Sequence, residues 1–251
     1  MNPLDKIKFE KISIDEGLSQ SVVYCVIQDS FGFIWFGTQD GLNKYDGRKI
    51  TIYKNDRSNS RTISNNIIHS LFEDKNNNLW IGTVAGLNRY DSKKDCFERF
   101  TSSNYKESFP VDYVRAIYQD NEGDLILATY GGGLSVFNLD SEKFESFRAD
   151  PNDSECISYD KVNCVKGDAN GRLLIGTWGG GLNLFSKHSK KFSKISLSDS
   201  GEETISMKRV NHISFDSDGK AWISTNGGLF TLDNFYSSAT KLAFPEETPE
   251  Q

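Results

Sequence analysis

Two short segments, YGGGL at 130–134 and WGGGL at 178–182, set an aromatic residue before three glycines and a leucine. A flat apolar body beside unobstructed backbone suits stacking against a sugar ring, with glycine backbone groups open to hydrogen bonding. The same residues also suit a plainer role, in which Tyr130 and Trp178 wedge between structural neighbours and the glycines serve the turn. Four cations, Arg115, Lys161, Lys208 and Arg209, fall at corresponding places in the pattern described below. Together they favour an acidic saccharide or another anion. Singly, each reads as a solvated loop charge paired with Asp112, Asp160 or Glu203. Arg115, Tyr130, Lys161, Trp178, Arg209 and Asn226 are the candidate ligand-binding residues.

Other chemistry is thinly represented. There is no G-x-S-x-G elbow and no phosphate loop, since GGGL lacks the following lysine and hydroxyl. His69, His188 and His212 are scattered, and Cys25, Cys96, Cys156 and Cys164 form no CxxC pair, so neither a catalytic residue, a metal site nor a cofactor is expected. A net charge of −6 without a basic run argues against nucleic acid or an anionic membrane as the main partner. No apolar stretch of about 20 residues exists to span a bilayer, and the first ten residues lack the apolar core of a signal peptide.

What positions these residues is a repeat. GFIWFGTQDGLNKYD, NNLWIGTVAGLNRYD, GDLILATYGGGLSVFN, GRLLIGTWGGGLNLFS and GKAWISTNGGLFTLD align on Thr38, Thr83, Thr129, Thr177 and Thr225. Such a period indicates repeat architecture. Ahead of each threonine block lies an alternating segment closed by a turn with Asp29, Asp74, Asp120, Asp168 or Asp216, and after it a Gly-Leu pair leads to a third and a fourth strand. Four short aromatic-rich strands per repeat predict an all-β fold, a β-propeller of five four-stranded blades. We letter the strands A to D and expect blades at about 21–53, 65–100, 111–147, 159–195 and 207–244. The threonine hydroxyls and turn aspartates have structural readings only. The B–C loops and the entries to strand A emerge at one end of a blade, which collects all six candidate residues there, with Asn163 and Asn211 joining Arg115 at the innermost register.

One strand is left over. The segment 9–14, FEKISI, resembles the fourth-strand segments FERF and FSKI, although the fifth repeat also supplies a fourth strand near Lys241–Phe244. Either the blades belong to a larger ring, or the Lys241 region is a tail and five blades close on 9–14. An open arc would expose apolar blade faces and promote self-association.

EDKNNNLWIGTVAGLNRYD, QDSFGFIWFGTQDGLNKYD and TISNNIIHSLF resemble the two-component regulator propeller repeat, found in the periplasmic sensor regions of Bacteroidetes hybrid histidine kinases. The resemblance implies a larger ring, usually of seven blades, of which this chain is a part. It also implies a periplasmic ligand-sensing module, not itself an enzyme, that detects a glycan breakdown product and signals through dimerisation to a kinase. Two other functions fit the pattern: a structural or protein-interaction propeller without a small-molecule site, and a propeller enzyme like streptogramin lyase, whose Trp-Gly-Thr repeats are similar.

Overall fold

The computed structural model describes residues 11–105, 109, 111–198, 203–233, 236 and 238–242. They form twenty strands in five four-stranded antiparallel sheets, without a helix among the described residues. Blade one comprises β1 (Val23–Gln28), β2 (Ile34–Thr38), β3 (Gly41–Tyr45) and β4 (Ile50–Tyr53), and blade two β5 (Ile68–Glu73), β6 (Leu79–Thr83), β7 (Gly86–Asp91) and β8 (Cys96–Phe100). Blade three holds β9 (Val114–Gln119), β10 (Leu125–Thr129), β11 (Gly133–Asn138) and β12 (Lys143–Phe147). Blade four holds β13 (Val162–Gly167), β14 (Leu173–Thr177), β15 (Leu182–Ser186) and β16 (Lys191–Ile195). Blade five holds β17 (Val210–Phe215), β18 (Ala221–Thr225), β19 (Gly228–Leu232) and β20 (Ala239–Lys241). Within each sheet the strands lie in chain order, as hairpin connections require.

The chain divides into two compact units. One takes the residues through Thr83 with Asn88–Arg99, essentially blades one and two; the other takes Val84–Leu87 and the chain from Phe100 onward, essentially blades three to five. The first unit is centred on buried Trp35, Leu42, Ile63, Ile68, Leu79, Ile81 and Phe97. In the second, one apolar cluster joins Ile126 and Ala128 of blade three to Val162, Val165 and Ile175 of blade four, and another joins Leu174 and Leu182 to Val210, Ile213 and Phe230 of blade five. Alternation along strands A and B places these side chains on the faces where successive blades stack.

The repeated residues have local jobs. Each turn aspartate accepts, through one carboxylate oxygen, the amides two and four residues ahead; Asp29, for example, takes Phe31 at 3.1 Å and Phe33 at 2.9 Å. Its other oxygen takes the indole of Trp35 at 2.7 Å, and Asp74 and Asp216 hold Trp80 and Trp222 in the same way at 2.8 Å. In blades three and four Ile126 and Leu174 replace that tryptophan, and the freed oxygen is taken by a cation instead: Lys187 for Asp120 and Arg172 for Asp168. The Thr38, Thr129, Thr177 and Thr225 hydroxyls donate to the carbonyls of Gly41, Gly133, Gly181 and Gly228 at 2.8–3.0 Å, closing the B–C turn. Fully buried Asn43, Asn88 and Asn183 accept the amides of Ser19, Ser64 and Ser158, pinning the entry of each strand A to its own strand C.

Two expectations change. The fourth strand of blade five lies at Ala239–Lys241 rather than Lys241–Phe244, pairing Phe230 with Lys241 and Leu232 with Ala239; Phe244 is outside the described residues. Of the extra strand at 9–14, Phe9 and Glu10 are outside the described residues, Lys11 to Ser13 are in no strand, and Ile14 begins a turn closed by the Gly17 amide on the Ile14 carbonyl at 3.0 Å. A strand requires a ladder partner, and every described sheet already has its own strand D.

Candidate functional site

Every strand A carries a β-bulge at the same place. Pairing with strand B jumps from Val114 to Ala116, from Val162 to Cys164 and from Val210 to His212, so Arg115, Asn163 and Asn211 are the extra residues. In the first unit the bulged residues are Tyr24 and His69. A bulge bends the strand and re-aims one side chain out of the pleat. Its trace in the sequence is a broken alternation: in VNCV the apolar Cys164 and Val165 follow each other, and in VNHI the polar Asn211 and His212 do. Tyr24 and His69 hold this register, neither of them among the six candidates; their ring centres lie 4.7 Å apart.

The bulged side chains of the second unit link into a hydrogen-bonded row. Arg115 Nε and Nη2 donate to Asn163 Oδ1 at 3.1 and 2.8 Å. Asn163 Nδ2 donates to the carbonyls of Val210 and Asn211 at 3.0 and 3.2 Å, and Asn211 Nδ2 donates to Asn226 Oδ1 at 2.9 Å. Arg115 and Asn226, from blades three and five, are thereby members of one row.

Beside this row run two aromatic–cation pairs. Tyr130, at the end of β10, forms an isolated antiparallel bridge with Lys161, and Trp178, at the end of β14, forms one with Arg209. Lys161 Nζ sits 5.0 Å from the centre of the Tyr130 ring, and the Arg209 guanidinium carbon 5.6 Å from that of Trp178. Both distances lie within the reach of cation–π attraction. Arg115 adds a guanidinium 5.9 Å from Tyr130 and 6.0 Å from Tyr113, whose ring centre is 5.2 Å from that of Tyr130. Tyr113, at the entry to strand A, belongs to this cluster although it was not among the six candidates. The three cations and two candidate aromatics are half-buried or exposed, and Asn226 is exposed.

The carboxylates that sequence offered as partners are engaged elsewhere. Asp160 pairs with Arg148 at 2.8 Å, Asp112 accepts the amide and hydroxyl of Ser102, and Glu203 accepts the Leu197 amide at 2.8 Å. Among the described residues no ion pair involves Arg115, Lys161, Lys208 or Arg209. Four of the six loop glycine amides are already engaged: those of Gly131 and Gly133 both reach the Asp160 carbonyl, Gly180 reaches Thr177 Oγ1, and Gly181 reaches the Lys208 carbonyl. Middle glycines Gly132 and Gly180 are also sterically required, since a Cβ would lie 2.7 Å from Thr129 Oγ1 and 2.3 Å from Ser158 Oγ. What this end presents is aromatic faces and cations without an ion-pair partner among the described residues, with side-chain amides between them.

Cys164 lies buried against Gly176, and burial pushes its thiol up to about 12, the opposite of an activated nucleophile. His188 sits in the turn between β15 and β16 and His212 on β17, each exposed. Asp120, Glu122 and Asp124 bring carboxylate oxygens within 4.8 Å of one another, a ligand-like set for a cation. The Lys187 ammonium stands among them at 2.5, 2.9 and 2.6 Å and supplies that positive charge from the protein itself.

Residues 17–40 and 62–85, the approach to strand A through the B–C turn in blades one and two, match the two-component regulator propeller family. Those two segments carry the regulator propeller repeat. A stretch of 56 residues is 46% identical to histidine kinase P4 of Formosa agariphila, covering 22% of this chain and 4% of that protein. Among solved structures, the extracellular domain of a one-component system of B. thetaiotaomicron matches 93% of the chain at 22% identity with a TM-score of 0.75. That of a hybrid two-component system from the same organism matches 94% at 20% identity and 0.66. The chain spans 33% and 36% of those two ectodomain structures. Virginiamycin B lyase of Staphylococcus aureus matches 91% of the chain at 12% identity with a TM-score of 0.67, a likeness of fold. No helix among the described residues is long and apolar enough to cross a membrane.

Proposed function

We propose that this regulator propeller is a ligand-sensing part of a hybrid two-component sensor, placed outside the cytoplasmic membrane, and that blades three to five bind an anionic saccharide released from a complex glycan. The observation that carries the reading is the geometry of Lys161 on Tyr130 and Arg209 on Trp178: cations laid on aromatic faces at one end of the blades, without carboxylate partners among the described residues. Pyranose rings present C–H faces that suit aromatic stacking, and a carboxylate or sulfate completes the cation's coordination in a site partly screened from water. The similarity to extracellular domains of Bacteroides sensors supports the class and the compartment.

Signalling then follows from differential binding. A ligand that fits one arrangement of a receptor dimer better than another shifts the population toward it, and the kinase reads that shift. Calorimetric titration of the chain with neutral and acidic oligosaccharides tests the binding step; an acidic series binding wild type and failing against Tyr130→Ala and Trp178→Ala is the expected result. No binding by any saccharide, while the intact receptor still responds to glycan, places the ligand site elsewhere in the receptor.

A second reading is favoured by one feature of blade one. Val26 is 61% exposed, whereas Val165 and Ile213, at the same register of blades four and five, are 7% and 2% exposed. With Phe31 at 66%, this apolar face serves self-association, and a scaffold role is compatible with it.

A further inference from the structure

We infer that the site on blades three to five recognises a negative charge repeated along an oligomer rather than one isolated anion, an inference that rests on the saccharide-binding reading above. The Tyr130–Lys161 and Trp178–Arg209 pairs are one device used twice, a blade apart. In each, the residue that follows a strand-B threonine bridges to the residue that precedes the next blade's strand A, and the cation lies over the ring. The two copies are coupled through the main chain, because the Trp178 amide donates to the Lys161 carbonyl at 2.9 Å. Arg115 extends the series into blade three, its guanidinium fixed by Asn163 and lying near Tyr130.

Lys161 and Arg209, each held by the same backbone pairing one blade apart, with Arg115 held by the Asn163 amide beside the first pair, form an array of cations across blades three to five. A monoanion seated at one aromatic–cation pair leaves the other pair unused. An oligosaccharide of uronic or sulfated units presents both features that recur along the row, a stackable ring face and a charge. Once its first unit is seated, the second contact is intramolecular, so affinity rises on the order of tenfold or more with each matched unit. The array also predicts that the cations act together and not as alternatives.

The test is titration calorimetry at fixed ionic strength with galacturonate and its dimer, trimer and tetramer, a chondroitin sulfate series, and malto-oligosaccharides of matching length. The expected result is that one acidic series gains on the order of tenfold or more from its shortest member to its tetramer, with no binding of the neutral series. Arg209→Ala and Lys161→Ala should flatten that length dependence while circular dichroism melts match wild type, and Arg209→Lys should retain part of it. A shortest acidic member that binds as tightly as the tetramer overturns the repeat and leaves the saccharide reading intact. Equal binding of neutral chains, or no binding by either acidic series, overturns both.

Discussion

Arg209 and Trp178 are joined twice, by an antiparallel backbone bridge and by a guanidinium carbon 5.6 Å from the indole centre. The backbone link fixes where the cation stands, while the side chains alone meet solvent. Removing the guanidinium therefore takes away a binding group without removing a structural bond. This separation does not hold for the other tryptophans with described polar contacts: Trp35, Trp80 and Trp222 each give their indole to a turn aspartate.

Those indole–aspartate bonds should dominate local stability. Asp74 is 3% exposed and holds Trp80 together with the amides of Asn76 and Asn78, so Asp74→Ala leaves buried donors unpaired. A loss of about 2–4 kcal/mol is expected in urea unfolding. Asp216→Ala, at an exposed turn where water can replace the lost bonds, should cost less than Asp74→Ala. Equal costs would contradict the role of burial.

The glycine before the threonine is set by what faces it. A Cβ on Gly176 would lie 2.5 Å from Cys164 Sγ and 2.6 Å from Val210 Cγ1. Blade three carries Ala128 there and pairs it with Ala116, a smaller partner than Cys164. Gly176→Ala should destabilise by about 1–3 kcal/mol, and adding Cys164→Ala should recover part of the loss. Additive costs in the double variant would show that the cysteine sulfur is not the obstacle.

Alkaline pH should weaken the fold through the same cysteine. Burial raises the Cys164 thiol from 9.0 to about 12, so its contribution is complete below pH 9 and is lost as pH rises toward 12. Unfolding free energies measured from pH 8 to 11 should fall less steeply in Cys164→Ala than in wild type. Parallel curves would assign the alkaline loss to other groups.

Exposure of Val26 predicts concentration-dependent self-association in light scattering, reduced by Val26→Asp. A chain that stays monomeric at its highest soluble concentration would leave that face without this role.

Much of the fold was legible because each blade repeats the same local solution: a strand-B threonine that closes a turn and an aspartate that ties the turn before it. The short strand Ala239–Lys241 was misplaced because A-T-K has no alternation to set its register. The register of the six candidate residues was legible, and they fall into two linked groups, the amide row and the aromatic–cation pairs. That the cations have no carboxylate partner among the described residues was not. Whether Asp160 meets Lys161 or Arg148 depends on the path of the loop from β12 to β13, which carries no periodic signal. The loop amides were likewise hidden, since their acceptors, the Asp160 and Lys208 carbonyls, belong to the next blade.

Lys161 and Arg209, cations on aromatic faces without carboxylate partners among the described residues, are proposed to bind an acidic saccharide. The direct measurement is the affinity of wild type and of the Lys161→Ala/Arg209→Ala double variant for the best acidic oligosaccharide at low and high salt. Saturable binding that weakens with salt in wild type and drops on the order of a hundredfold in the double variant, at unchanged melting temperature, is predicted. Equal affinity of the two proteins, or binding indifferent to salt, would contradict it.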